Sequence, residues 1–246
     1  MQLGEAPPTP QGPLPTYLAN TTDMCGRFSQ ADIAELDREV LWILDGLQTT
    51  TPRYNVAPSQ EAAVIRHGGL GNRIDQLRWG LIPSWAHDPK IGYRTINARA
   101  ESLTQKPAFR DSFATRRCAI PVAGFYEWRK TPHGKHPHFI RRRDRRAMLL
   151  AGLWDRWIDR VTGPLETFTI ITTTPNAVVR PLHDRMPVVL PESGLLAWLD
   201  PRTTDPTTLG EFLVPCTDQE LEAYRVSTHV NSPANEDPRC VEPVEP

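Results

Sequence analysis

"RRCAIPVAGFYEWRK", residues 116–130, is apolar for most of its length, carries β-branched and aromatic side chains, and is interrupted at Pro121 and Gly124. Such residues suit a pleated, half-buried surface. The stretch therefore reads as one strand, a kink at Pro121 and Gly124, and a second strand. "TPHGK" (131–135) supplies the turn and "HFIRRR" (138–143) the returning strand. Two further runs, "RAMLLAGLWDRWI" (146–158) and "ETFTIITT" (166–173), have the same character. "EAAVIRH" (61–67) and "RIDQLRWGLI" (73–82) flank the glycine-rich "GGLGN" and read as another hairpin. A sheet is the centre of this fold.

Helices belong to the periphery. Ile33, Leu36, Val40, Ile43, Leu44 and Leu47 recur at helical spacing. With Ser29 and Asp32 as a capping box, they predict a helix over about 30–47. "PNAVVRPL" (175–182) reads as a short helix, "MPVVL" (186–190) as a short strand, and "PESGLLAWLD" (191–200) and "DPTTLGEFL" (205–213) as surface helices with proline near N1. "PSWAHDPKIGYRTINARAES" (83–102) is too polar and broken for a regular element, and long irregular stretches inside a domain are often functional. The tail from Asn231 reads as loop. No repeat or linker divides the chain, which predicts one α+β domain.

Bulk properties narrow the function. The 246 residues carry a net charge of -1, so any attraction to nucleic acid must be local. No apolar run approaches the roughly 18 residues that span a bilayer. Cys25, Cys118, Cys216 and Cys240 are widely spaced, unlike a structural zinc site or a disulfide framework. A cytoplasmic protein without cofactor or metal is expected. Residues 1–23 hold five prolines and no basic residue. They lack the plan of a signal peptide and read as a disordered leader or a misassigned start.

Within "TTDMCGRFSQ" (21–30), Met24 precedes Cys25 directly. A lone cysteine is usually a small buried hydrophobe. At an N-terminus, however, it is a 1,2-aminothiol. Its amine condenses with an aldehyde, and its thiol closes the imine to a five-membered thiazolidine. An α-amino pKa of about 7.7–8.0 leaves a useful neutral fraction near pH 7. In the chain as written, the Cys25 nitrogen is an amide. A true start at Met24, followed by methionine removal, resolves that; cleavage of the leader is the other route.

Other residues offer chemistry beside plainer readings. "LHDRMPVVL" puts a proton carrier, His183, next to Asp184 and a phosphate ligand, Arg185. Glu127 lies among Phe125, Tyr126 and Trp128, where apolar company favours the protonated acid, or else it is a solvated edge residue. Asn97 in "INARAES" orients a reacting group or shapes a turn. Arg53 and Asn55 in "RYNVAPSQ", with Trp79 and Trp85 in "LRWGLIPSW", interleave charge and flat faces as single-stranded nucleic acid requires, although tryptophans are ordinary core residues. His133, His136 and His138 lack a carboxylate or cysteine partner in sequence, so no metal site is expected there. Eight basic residues in 129–146 contact phosphates or form a solvated face.

"MCGRF", "RYNVAPSQ", "RWGLIPSW", "INARAES", "RCAIPVAGFYEW", "ITTTPNAVVRPLHDRMPVVL" and "VNSPANEDPRCVEP" together resemble the SOS response-associated peptidase (SRAP) family, also called abasic-site-processing proteins. The resemblance runs from Met24 to about Pro243 and makes 24–246 an SRAP-like domain. It implies an α+β fold: a single compact domain around a barrel-like, mostly antiparallel sheet with peripheral helices. It also implies a monomer that recognises abasic sites in single-stranded DNA in the cytoplasm, at the nucleoid when bound. Cys25 would be the crosslinking nucleophile and Asn97 the group positioning amine and sugar. Glu127 would be the acid for ring opening, and His183 the acid/base for β-elimination and Schiff-base chemistry. Arg27, Arg99 and Arg185 resemble phosphate-gripping arginines, and Trp79 and Trp85 stacking residues. A narrow cysteine peptidase using Cys25 and His183 and a non-covalent DNA binder are the competing readings.

Overall fold

The computed structural model describes residues 25–32, 34, 36, 38–44 and 50–244. In chain order the elements are β1 (Phe28–Gln30), α1 (Arg38–Trp42), β2 (Arg53–Val56), β3 (Glu61–His67), β4 (Asn72–Trp79) and β5 (Asn97–Arg99). Then come α2 (Arg110–Thr115), β6 (Arg117–Thr131), β7 (Gly134–Arg142), β8 (Met148–Asp159), β9 (Gly163–Thr173), β10 (Met186–Pro187) and β11 (Val189–Leu190). α3 (Leu195–Leu199), α4 (Pro206–Gly210) and β12 (Leu221–Arg225) follow.

β6 is the organising strand. Its first half pairs with β8 from Arg117↔Leu153 to Val122↔Met148 and with β3 at Ile65↔Ala119. β3 pairs with β4, β4 runs parallel to β9 at Arg78↔Thr167, and β9 returns antiparallel to β8. These contacts close a five-strand mixed barrel of β3, β4, β9, β8 and β6. Past Val122, β6 leaves β8 and pairs with β7, which in turn pairs with β12. Gly124 sits at this switch. A Cβ there would lie 2.3 Å from the Phe139 ring and 2.6 Å from the Ile140 carbonyl, so only glycine allows the close approach. The kink read from Pro121 and Gly124 is thus the point where the chain leaves the barrel.

Alternation assigns the two faces of the barrel wall. Val64, Leu77, Trp79, Ile120, Leu150, Phe168 and Ile170 form one cluster that draws on all five strands, and so fills the interior. Ile65, Ala119, Ala151, Leu153 and Ile171 form another outside, covered by Phe113 of α2 and by Leu195, Trp198 and Leu199 of α3. Cys25 and Phe28 join the interior cluster. Among the described residues no helix is long and apolar enough to cross a membrane.

The predicted helix over 30–47 is not what forms. Gln30 ends β1, which pairs with both β6 and β2, and among the described residues the helical segment is Arg38–Trp42. Ser29 donates to the Arg53 carbonyl (3.0 Å) instead of capping a helix. Strand pairing on both edges satisfies more backbone than a cap would. Ile33 and Leu47 lie outside the described residues. "PNAVVRPL" forms successive turns rather than a helix, closed by Arg180 N–H to the Asn176 carbonyl and His183 N–H to the Val179 carbonyl.

Candidate active site

The segment before β1 lies against β6. Tyr126 N–H donates to the Arg27 carbonyl (3.0 Å), and Phe28 is opposite Phe125, so the chain entering at Cys25 runs beside Glu127. The Asn97 carboxamide donates to the Cys25 carbonyl at 2.9 Å and fixes the backbone of that residue. Asn97 is placed by β5, whose lead is held by the Trp79 indole N–H to the Ile96 carbonyl (2.8 Å). The Cys25 thiol is fully buried, with a weak contact to the Arg27 carbonyl at 3.9 Å. Burial first, then the nearby Glu127 carboxyl, push this thiol well above its ordinary range. Both groups prefer to stay protonated.

Glu127 is 3% exposed, and burial followed by the Asp184 charge raises its carboxyl well above the usual range. Its Oε1 has no hydrogen-bond partner. Neither have the buried Asn97 Oδ1, Thr172 Oγ1 and Arg185 Nε. Buried polar atoms are almost always satisfied, so four orphans in one neighbourhood make it a candidate site for a polar ligand. Register supports the grouping. Asn97 pairs with Ile170 and Arg99 with Thr172, so two of the orphans, on Asn97 and Thr172, share the face of β5 and β9 that leads to the interior cluster.

His183 lies just before β10, which pairs with the same end of β9. Its Nδ1 lies 3.0 Å from the Arg185 backbone N–H. Asp184 Oδ1 is 3.1 Å from that same Nδ1. The Arg185 guanidinium grips Glu101 through two bonds (2.7 and 2.9 Å) and the Thr172 carbonyl at 2.6 Å. That ion pair is the first cause holding the Glu101 carboxyl below its usual range. Arg99 is exposed beside it, and Trp85 is half exposed.

The family model for SOS response associated peptidase (SRAP) matches residues 24–233. The chain belongs to the SRAP family. It is 45% identical over 224 residues to abasic site processing protein YoqW of Bacillus subtilis, covering 89% of this chain and 99% of that protein. It is 29% identical over 236 residues to abasic site processing protein HMCES of Gallus gallus, covering 83% of this chain and 69% of that one. Among solved structures, a protein from Bacteroides thetaiotaomicron aligns at a TM-score of 0.72 and 28% identity, over 91% of this chain and 99% of that one.

Within the SRAP fold, the site residues read from sequence separate into two groups. Cys25, Asn97, Glu127, His183, Arg99 and Arg185 gather around the barrel end. Arg27, Arg53 and Asn55 instead anchor the C-terminal loop. Arg27 donates to Asn55 Oδ1 (2.8 Å) and to the Val230 and Asn231 carbonyls, and Arg53 pairs with Glu236 at 2.6 Å. The Asn55 amide, fully buried, donates to the carbonyls of Val230, Ser232 and Asn235. Trp79 is 1% exposed and packs between Phe28 and Phe168 inside the barrel. It shapes the site from behind. Glu101 and Thr172 were not singled out for any role from sequence; the acid in "INARAES" opposite the arginine of "HDRMP" was the available signal for the first.

Among the described residues, His229, Asp237 and Cys240 bring donor atoms within 4.8 Å of one another. Each already has a partner: His229 Nε2 bonds Asp237 at 3.0 Å, its Nδ1 meets the Asn235 amide, and Cys240 donates to the Asn235 carbonyl. This is a closed hydrogen-bond knot that ties the loop.

Proposed function

We propose that this protein captures abasic sites in single-stranded DNA as a covalent thiazolidine on Cys25, acting as a monomer once the Cys25 nitrogen is an amine. The amine attacks the aldehyde carbon of the ring-opened deoxyribose, and loss of water gives an imine. The thiol then adds to the imine carbon, and its proton ends on nitrogen, so the net loss is one water. Asn97 holds the Cys25 backbone and offers its free Oδ1 to the reacting nitrogen or sugar. Glu127, protonated by burial, donates to the departing oxygen. His183 serves proton transfer in Schiff-base reversal and in β-elimination at the 3′ phosphate. Arg99 and Arg185 face the phosphates, and Trp85 stacks on a base.

The observation that carries this reading is an acid, Glu127, buried beside a cysteine whose backbone is pinned by the Asn97 carboxamide; burial favours the protonated form of that acid. It also weighs against the peptidase reading for substrates in trans. A cysteine peptidase needs a thiolate paired with histidine, whereas Cys25 is held as a thiol by burial and Glu127. Self-removal of the residues before Cys25 is kept in the proposal as a separate, single-turnover step: burial disfavours the thiolate there too and slows it, but one slow cleavage per chain is enough to free the amine. The test compares protein beginning at Cys25 with protein shown by intact mass to retain Met24 throughout the incubation, each mixed with an abasic oligonucleotide. A heat-stable adduct from the first alone supports the reading, and equal yields overturn it.

A further inference from the structure

Opposed residues of antiparallel strands share a face, and on β6, β7 and β12 one face can be read row by row. The first row, Phe125, Ile140 and Ala223, belongs to or packs on the interior cluster. The second is Glu127, His138 and Arg225. The third is Arg129 and His136. Rows lie roughly 7 Å apart along the strands. The face thus passes from apolar core, through the buried acid of the site, to a stripe of basic side chains leading away from it.

The basic residues of 129–146 are not alike. Arg141 pairs with Glu222 (2.8 Å), and Arg142 and Arg146 both pair with Asp144 (2.7 and 3.1 Å). Arg129 and Arg225 have no carboxylate partner among the described residues. Arg225 instead meets His136 Nδ1 at 3.2 Å. Burial first, and then the charges of Arg129, Arg225 and His136, hold the His138 imidazole below its ordinary range. These come from β6, β12 and β7, and the remaining titratable neighbour on the face is Glu127. Like charges gathered without a counter-charge repel one another; an anionic ligand relieves that.

We propose that Arg225, His138, Arg129 and His136 form the track for one flank of the bound strand, gripping its phosphodiester backbone where it leaves the Cys25 site. This deepens the abasic-DNA reading and rests on it. The row spacing lets successive phosphates of an extended single strand meet successive rows. Bases would face outward, so the grip carries no sequence preference.

The test uses single strands with a reduced, unreactive abasic residue, placed centrally or at either end, so that both flanks or only one is present. Affinity is followed by fluorescence anisotropy against salt for wild type, the double variant R129Q/R225Q and the control R110Q, which removes an exposed positive charge elsewhere. On the central-lesion strand the double variant should show a log–log salt slope shallower by about 1.4, at about 0.7 per lost phosphate contact. The strand lacking one particular flank should show no difference, and R110Q should match wild type throughout. An unchanged slope on every strand, or an equal loss on all three, overturns the track. Far-UV circular dichroism and the melting temperature serve as the fold check, and NMR follows the titration of His138 in the folded variant. Its midpoint should move up in the double variant, because two positive neighbours are gone. Failure of the parent reading is separate: wild type giving no adduct with an aldehyde-bearing strand would sink the crosslinking proposal, while the slopes would still report the track.

Discussion

Replacing Glu127 with glutamine should change how stability depends on pH. A glutamate in an unfolded chain titrates near 4.3. In the fold, burial and then the Asp184 charge raise that value well above the ordinary range. The sign follows from linkage: Glu127 favours folding fully below about pH 4.3, and that contribution is lost as pH rises toward the folded value. Within that window each pH unit removes roughly 1 kcal/mol or slightly more. Glutamine has nearly the same shape and no proton to lose, so E127Q escapes this loss. For a chain of this length, roughly 1 kcal/mol corresponds to about 2–4 °C in Tm. The melting temperature of E127Q minus that of wild type should therefore widen by about 2–4 °C per pH unit above pH 4.3, then level off. Any fixed offset from the new amide leaves this slope untouched. Melts followed by circular dichroism between pH 4 and 8 measure it. Parallel curves for the two proteins would refute a buried, protonated Glu127, and with it the acid assigned to the crosslinking reaction.

Other perturbations separate chemistry from scaffold. C25S should abolish the covalent adduct while leaving salt-sensitive binding of an unreactive abasic strand intact, read by gel shift. N55A removes the donor to three carbonyls of the C-terminal loop, the Val230 bond buried and the other two part-buried; at about 1–3 kcal/mol for a buried group that loses its partner, the loss in stability should appear as a lower denaturant midpoint, with hydrogen exchange rising first in 226–241. R185A should destabilise more than E101Q, because an ion pair with one exposed partner is worth only about 0–1 kcal/mol, whereas Arg185 also holds the Thr172 carbonyl. Urea titrations of the two variants test that order.

Strand-rich stretches were legible because they obey local rules. The turn at "GGLGN" and the break at Pro121 and Gly124 both fall where the chain reverses or leaves the barrel. The segment after Cys25 misled because its apolar spacing fits a helix, while the first residues are claimed by pairing with β6 and β2, partners distant in sequence. Candidate site residues stood out where a residue type has few plain uses: Cys25 behind a methionine, Glu127 amid aromatics, His183 before a strand; the fold brings the Cys25 thiol and the Glu127 carboxyl into one buried neighbourhood. Arg27, Asn55 and Trp79 carry the same donors and rings whether they face a ligand or a loop. Only the fold reveals that their partners are the carbonyls of 230–235 and the Ile96 carbonyl. The basic run of 129–146 was ambiguous for a related reason, since its neutralising acids, Glu222 and Asp144, are assigned by register and turn geometry.

Intact-mass spectrometry of the product formed with an aldehyde-bearing abasic strand tests the central claim most directly. For protein beginning at Cys25, the account predicts one species equal to protein plus DNA less one water, stable to heat and absent in C25S. The same species from protein that still carries Met24, or its persistence in C25S, would contradict the account.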